Sequence, residues 1–308
     1  TKKVWDAVKE LNYTADMVAR SMTKNETRQL AVLANDLSNP YFAEIITGFE
    51  NAAIDNNYLV SICTAQREIE NYIRRLIAQR IDGVFIVGMP PLSDEKYHEI
   101  IFNMVEAGIR VLINGIILKD SKEISHIFVD HMTGIDKAVS YLKSMGHTHI
   151  AMVSTFGRNS NFDIRDRMFF SAMDKYLPDS PKIFVSETGI RNPDMDSSYS
   201  LTKRLLTDHP EVTAVICLND LMAYGVIQAA TYFNKSVPDE LSVIGMDDIY
   251  ISRNFNPTVT SIGFDKREYG MMAFELLYNH IKKNIVKDID IRTELYIRSS
   301  TGLAPGLK

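Results

Sequence analysis

The chain reads as an α/β protein: parallel sheet flanked by helices, with length enough for two domains. Three observations lead there. Short apolar runs alternate with amphipathic stretches of roughly ten or more residues, the arrangement that folds into a parallel, doubly wound sheet. Two of the runs, 214–218 and 241–245, are apolar almost throughout, as strands buried on both faces are. The length of 308 residues leaves room for two domains of ordinary size.

In chain order, Val4, Ala7, Val8 and Leu11 recur at helical spacing, so 1–12 is expected as an amphipathic helix. Asp16 is placed to cap a short second helix at 17–22. A strand at 30–34 follows, then a loop of turn formers at 35–40 and a helix that buries Phe42, Ile45, Ile46 and Phe49. Strands at 58–63, 83–87 and 110–113 alternate with helices at 69–80 and 97–107. The strand 126–130 ends in Asp130 and leads into a helix at 134–144. Strand 150–153 runs into a polar loop at 154–163, and a helix opens near Arg165. After 214–218 the polar pair Asn219-Asp220 precedes a stripe of Leu221, Met222, Val226, Ile227 and Ala230. Strand 241–245 ends at Met246-Asp247-Asp248, and a last amphipathic helix is expected at 269–281.

Parallel α/β sheets bind ligands outside the carboxyl ends of their strands. Asn219, Asp220, Asp247 and Asp248 arrive there from two neighbouring runs. A helix cap is the simpler reading of Asn219 and the favoured one for Asp220, whereas no strong helix pattern follows Asp247.

Composition narrows the function classes. A net charge of −5 argues against a general polyanion binder. No apolar run is long enough to span a membrane, and two cysteines make neither a disulfide framework nor a metal finger, so a cytoplasmic protein without a membrane contact is expected. No Gly-x-Gly-x-x-Gly, Gly-x-Ser-x-Gly or phosphate loop occurs, so neither a cofactor nor an enzyme is expected. His147 and His149 lack a nearby third ligand, and no metal site is expected.

The residues also carry a family resemblance. Asn219-Asp220 with Ala223, Val237-Pro238 with Ser242-Val243, and Gly245 with Asp247-Asp248 closely resemble signatures of the LacI/GalR family of transcription regulators. Asn39-Pro40-Tyr41-Phe42 resembles its first strand-to-helix loop, Asp130 with Gly134 and Gly146-His147 its next lobe entry, and Arg165 with Phe169 and Ala172 its effector-holding helix. Met168 stands where the family has Gly, and Phe264 where it has Gln. Ala7, Leu11, Tyr13, Ala19, Arg20 and Ser21 are similar to the end of its DNA-binding headpiece and hinge helix, with Met22 at the position of a minor-groove wedge.

The resemblance implies a two-lobed, periplasmic-binding-protein-like domain behind a headpiece remnant. The expected division is 1–28 for headpiece and hinge, 29–129 with 259–290 for the N-terminal lobe, and 130–258 with 291–308 for the C-terminal lobe. No helix-turn-helix precedes Thr1, so the chain is expected to begin inside such a headpiece. It implies a small-molecule effector held by Tyr41, Phe42, Asp130, Arg165, Asn219 and Asp247 and felt as lobe closure, hinge contacts to operator DNA by Ala19, Arg20, Ser21 and Met22, and a homodimeric repressor. A carbohydrate effector is favoured, because Pro193 falls near the place of a stacking aromatic. The alternatives are a purine effector, a protein corepressor and a transport-type sugar-binding protein.

Overall fold

The computed structural model describes residues 26–64, 68–88, 94–115, 122–154, 164–187 and 194–307. The expected helices 1–12 and 17–22, the hinge residues Ala19, Arg20, Ser21 and Met22, most of the loop 154–163, and Pro193 lie outside the described residues.

The chain divides into two compact units. The first takes residues up to Asn35, Phe49–His126 and Met271–Lys287; the second takes Asp36–Gly48, Ile127–Gly270 and Asp288–Lys308.

The first sheet has the order β11-β5-β4-β3-β1-β2. Its strands are β1 (Gln29–Leu33), β2 (Leu59–Cys63), β3 (Gly83–Ile86), β4 (Arg110–Asn114), β5 (Ile124–Asp130) and β11 (Ile289–Arg292). Helices α1 (Pro40–Asp55), α2 (Ile69–Ala78) and α3 (Asp94–Glu106) alternate with them. β1 pairs in parallel with β2 and β3, with Leu33 opposite both Cys63 and Ile86, so these strands end at one edge. Ile73, Leu76, Ile101 and Met104 of α2 and α3 pack with Ala31, Leu33, Val84, Ile86, Val111 and Ile113 as one buried core. Phe49 stacks on Phe85 at 5.3 Å and meets Phe274 edge-on at 5.7 Å. β2 lies at the sheet edge, which is why Leu59 and Ile62 of this apolar run are exposed while Cys63 is buried.

The second sheet has the order β12-β10-β9-β8-β6-β7. It contains β6 (Ile150–Ser154), β7 (Ile183–Ser186), β8 (Ala214–Cys217), β9 (Ser242–Asp247), β10 (Thr260–Gly263) and β12 (Glu294–Tyr296). Pairing is parallel throughout except for β12, which runs antiparallel to β10. Helices α4 (His131–Ser144), α5 (Arg165–Tyr176), α6 (Met195–Asp208) and α7 (Asp220–Tyr232) follow strands in turn. Every residue of β8 and β9 is buried, as strands with runs apolar almost throughout are, Ser242 and Asp247 of β9 included.

Three boundaries differ from expectation. Residues 259–270, expected in the first lobe, cluster with the second unit, because β10 is paired with β9 on one side and β12 on the other. The start of α1, up to Gly48, also clusters with the second unit. The last helix, α8 (Lys266–Lys283), begins three residues earlier than its apolar stripe indicates.

Candidate functional site

The parallel strands of the second sheet bring Ser154, Leu218, Asp247 and Phe264 to one edge. Asn219 begins the chemistry there. Its backbone is extended, and its Oδ1 accepts the Met222 N–H at 2.8 Å, so it is the N-cap of α7. Asp220 is not the cap. Its buried carboxylate reaches sideways, accepting from the Ile249 N–H at 2.9 Å, from Ser252 Oγ at 2.6 Å and from Ser261 Oγ at 2.5 Å. Tyr224 Oη lies 2.8 Å from Ser252 Oγ and extends the network. Gly245 makes the reach possible, because a Cβ there would fall 2.1 Å from Asp220 Oδ1. Burial raises the Asp220 carboxyl to about 7, even against those three donors.

The turn after β9 is thereby tied from behind. Asp247 has φ 111° and Asp248 φ 49°, a left-handed pair in which neither residue is glycine. Asp248 is fully buried and ion-paired to Arg298 and to Arg253, the latter at 2.8 Å, while its N–H donates to Ser261 Oγ at 2.9 Å. The ammonium of Lys266, itself buried, donates to the carbonyls of Asp247 at 2.7 Å and Asp248 at 2.6 Å.

Asp247 differs from its neighbours. It is 8% exposed, yet its carboxylate accepts no hydrogen bond from the described residues. Burial pushes this carboxyl well above the usual range, and the Asp220 carboxyl adds to that; Arg165 and Lys266 pull it back. Arg165, the first residue of α5, spans the ends of both strands. Its Nη1 donates to the Leu218 carbonyl at 3.2 Å and lies 3.9 Å from Met246 Sδ. Glu44 of α1 accepts the Tyr250 N–H at 3.0 Å and is a further negative neighbour of Asp247. Phe264 meets the half-buried ring of Tyr41 edge-on at 6.1 Å, and Tyr41 meets Phe42 at 5.2 Å.

Of the residues singled out in the sequence, Arg165, Asn219 and Asp247 thus converge on one strand edge, with Tyr41 and Phe42 in an aromatic group reached through Phe264. Asp130 makes no hydrogen bond to them. Its carboxylate caps α4, accepting from Thr133 N–H at 3.1 Å and Thr133 Oγ1 at 2.5 Å. His147 is buried between Thr213 Oγ1 at 2.9 Å and the Gly302 carbonyl at 3.1 Å. Glu44, Ser261, Lys266 and Arg298 were missed. Only Lys266 left a trace, as a cation just ahead of the expected helix; the others join the site through pairings between distant segments.

An ionisable acceptor without a protein donor, a guanidinium beside it and aromatic edges nearby can grip a small ligand bearing hydroxyl or N–H groups. Among the described residues no group of metal-binding side chains accompanies them.

Comparison with known proteins bears on the family and the fold. Residues 139–301 match the family described as periplasmic binding protein-like domain. The HTH-type transcriptional repressor PurR of Proteus mirabilis is 30% identical over 98% of this chain and 88% of its own length. That of Aliivibrio fischeri is 32% identical over 91% and 82%. A solved LacI family transcriptional regulator from Enterococcus faecium, with bound ribose, superposes with TM-score 0.77 at 26% identity, covering 89% of this chain and 98% of that one. The transcriptional regulator CelR–cellobiose complex, at 21% identity and TM-score 0.75, shares the fold over 97% of this chain and 90% of that chain. The chain belongs to the LacI/GalR family of transcription regulators.

Proposed function

We propose that this chain is the effector-sensing part of a repressor, and that a small molecule bound at the Asp247 edge controls the fit of its dimer to operator DNA. The observation that carries the reading is the Asp247 carboxylate, nearly buried and without a hydrogen bond from the described residues. A carboxylate that the protein's own donors leave unbonded, on a backbone held in the left-handed region, fits a site completed by its ligand. Asp247 accepts from the ligand, Arg165 donates to it, Asn219 sets the rim of α7, and Tyr41 with Phe42 supplies an apolar face. A sugar or sugar derivative suits this mix of acceptor and fork-shaped donor. The Enterococcus faecium relative with bound ribose supports that reading.

The second reading is a purine-type effector, favoured by the relatives named PurR. Asp130, engaged as a helix cap, takes a lesser part in either reading. The hinge residues Ala19, Arg20, Ser21 and Met22 remain the proposed operator contacts. A coupling of roughly 1–3 kcal/mol between the two sites is enough for a useful switch.

A thermal-shift screen against pentoses, hexoses, disaccharides, sugar phosphates and purines tests this, with Asp247→Ala alongside. A ligand at about a hundred times its Kd adds about 2.7 kcal/mol. One compound class should stabilise the wild type and not the variant; equal stabilisation of both would remove Asp247 from the site. Silence across the screen from a cooperatively melting protein would count for a protein corepressor.

A further inference from the structure

Lys266 opens α8 with a side chain 2% exposed. A buried ammonium persists only where its protons find acceptors. Here they find three backbone carbonyls, those of Asp248 at 2.6 Å, Asp247 at 2.7 Å and Phe264 at 3.3 Å. Two of these belong to the consecutive residues at φ 111° and 49°, a region that L side chains rarely adopt. In an extended strand successive carbonyls point to opposite sides. Turning both towards one cation requires the backbone to leave the strand conformation, as it does here.

The surroundings fix the rest of the loop and leave this task to Lys266. Arg253 and Arg298 hold the Asp248 side chain, and Asp220 holds the Ile249 N–H. Gly263 provides the floor, since a Cβ there would lie 2.4 Å from Asp248 Cβ and 3.0 Å from the Asp247 carbonyl oxygen. Among the described residues, Lys266 is the side chain that bonds both carbonyls of the turn.

We propose that Lys266 is a positioning residue of the effector site: its ammonium holds the Asp247–Asp248 turn that carries the Asp247 carboxylate clear of the protein's own donors and leaves it for the ligand. The role rests on the effector reading given above, but the test is read without ligand. Replacing Asp247 by Ala and by Gly removes the carboxylate in both cases, and the difference between the two sets the backbone strain at this φ against the greater freedom of glycine in the unfolded chain. With Lys266 present, Asp247→Gly should melt about 2–4 °C above Asp247→Ala, because glycine adopts a left-handed φ freely.

In a Lys266→Met background the turn is free to relax, and the order should vanish or reverse, glycine then being the more flexible residue in the unfolded chain. Should Lys266→Met not melt cooperatively, Lys266→Gln, which is neutral and shorter, carries the same comparison. A lysine that only supports packing would leave the glycine advantage equal in both backgrounds, and that result would overturn the proposal. Failure of the effector reading would show instead as silence in the ligand screen and would not move these melting temperatures.

Discussion

β5 and β9 both deliver an aspartate at a strand end, and the chain treats the two in opposite ways. Asp130 is followed at once by α4, whose first turn takes its carboxylate through Thr133. Burial works to raise this carboxyl, but the bonds from Thr133 outweigh it and hold the group below its ordinary range. Asp247 is followed by a left-handed turn, and its carboxylate meets no donor among the described residues. Burial there raises the carboxyl. A strand-end carboxylate thus stays without a bond from the protein when no helix begins in time to cap it, and the buried network around Asp220, Asp248 and Lys266 holds the chain in that turn.

The β9 turn is most vulnerable at Asp248. Asp248→Ala leaves Arg298 without its buried partner, and such losses cost about 3–5 kcal/mol. Urea denaturation should show that loss; a cost within measurement error would mean the turn is held by something else.

Next in size is the pH response. Asp220 is raised to about 7, so its contribution is fully present below the ordinary carboxylate range and is lost as pH rises through 7. The stability of the wild type relative to Asp220→Asn should therefore fall by roughly 4 kcal/mol at most over that window. Asp130 has the opposite sense: it is depressed, and its contribution is present at neutral pH and lost on acidification. Denaturation curves of Asp220→Asn and Asp130→Asn across pH should separate in opposite directions, and parallel curves would contradict the contrast between the two strand ends.

The caps are smaller. Asn219→Ala and Asp130→Ala should each cost about 0.5–2 kcal/mol by calorimetry, as lost N-caps do. The smallest stability change belongs to Asp247→Asn, which removes a charge that no described residue bonds. It should leave thermal stability within about 0.5 kcal/mol or raise it, and a loss above that would show that the protein itself uses the carboxylate.

Much of this was legible in the sequence. Strand–helix alternation gave the parallel sheets, and the largely apolar runs at β8 and β9 placed Asn219 and Asp247 at the same edge. Arg165 was found through its resemblance to a family motif and not through spacing. What stayed hidden depended on contacts between distant segments. Asp220 looks like a helix cap in any local window, and only the return of β10 beside β9 brings Ser261 to its carboxylate. Nothing near Lys266 in the chain says that its ammonium turns back onto Asp247. That 259–270 clusters with the second unit has the same origin, because strand pairing decides it and local pattern does not.

The most direct measurement is a carboxyl-carbon NMR titration of the labelled aspartates with the stabilising compound from the screen, Asp247 and Asp130 being assigned through their Asn variants. The Asp247 resonance should shift on binding while that of Asp130 stays in place. A shift at Asp130 with Asp247 unmoved would contradict the assignment of the effector contact to the β9 turn.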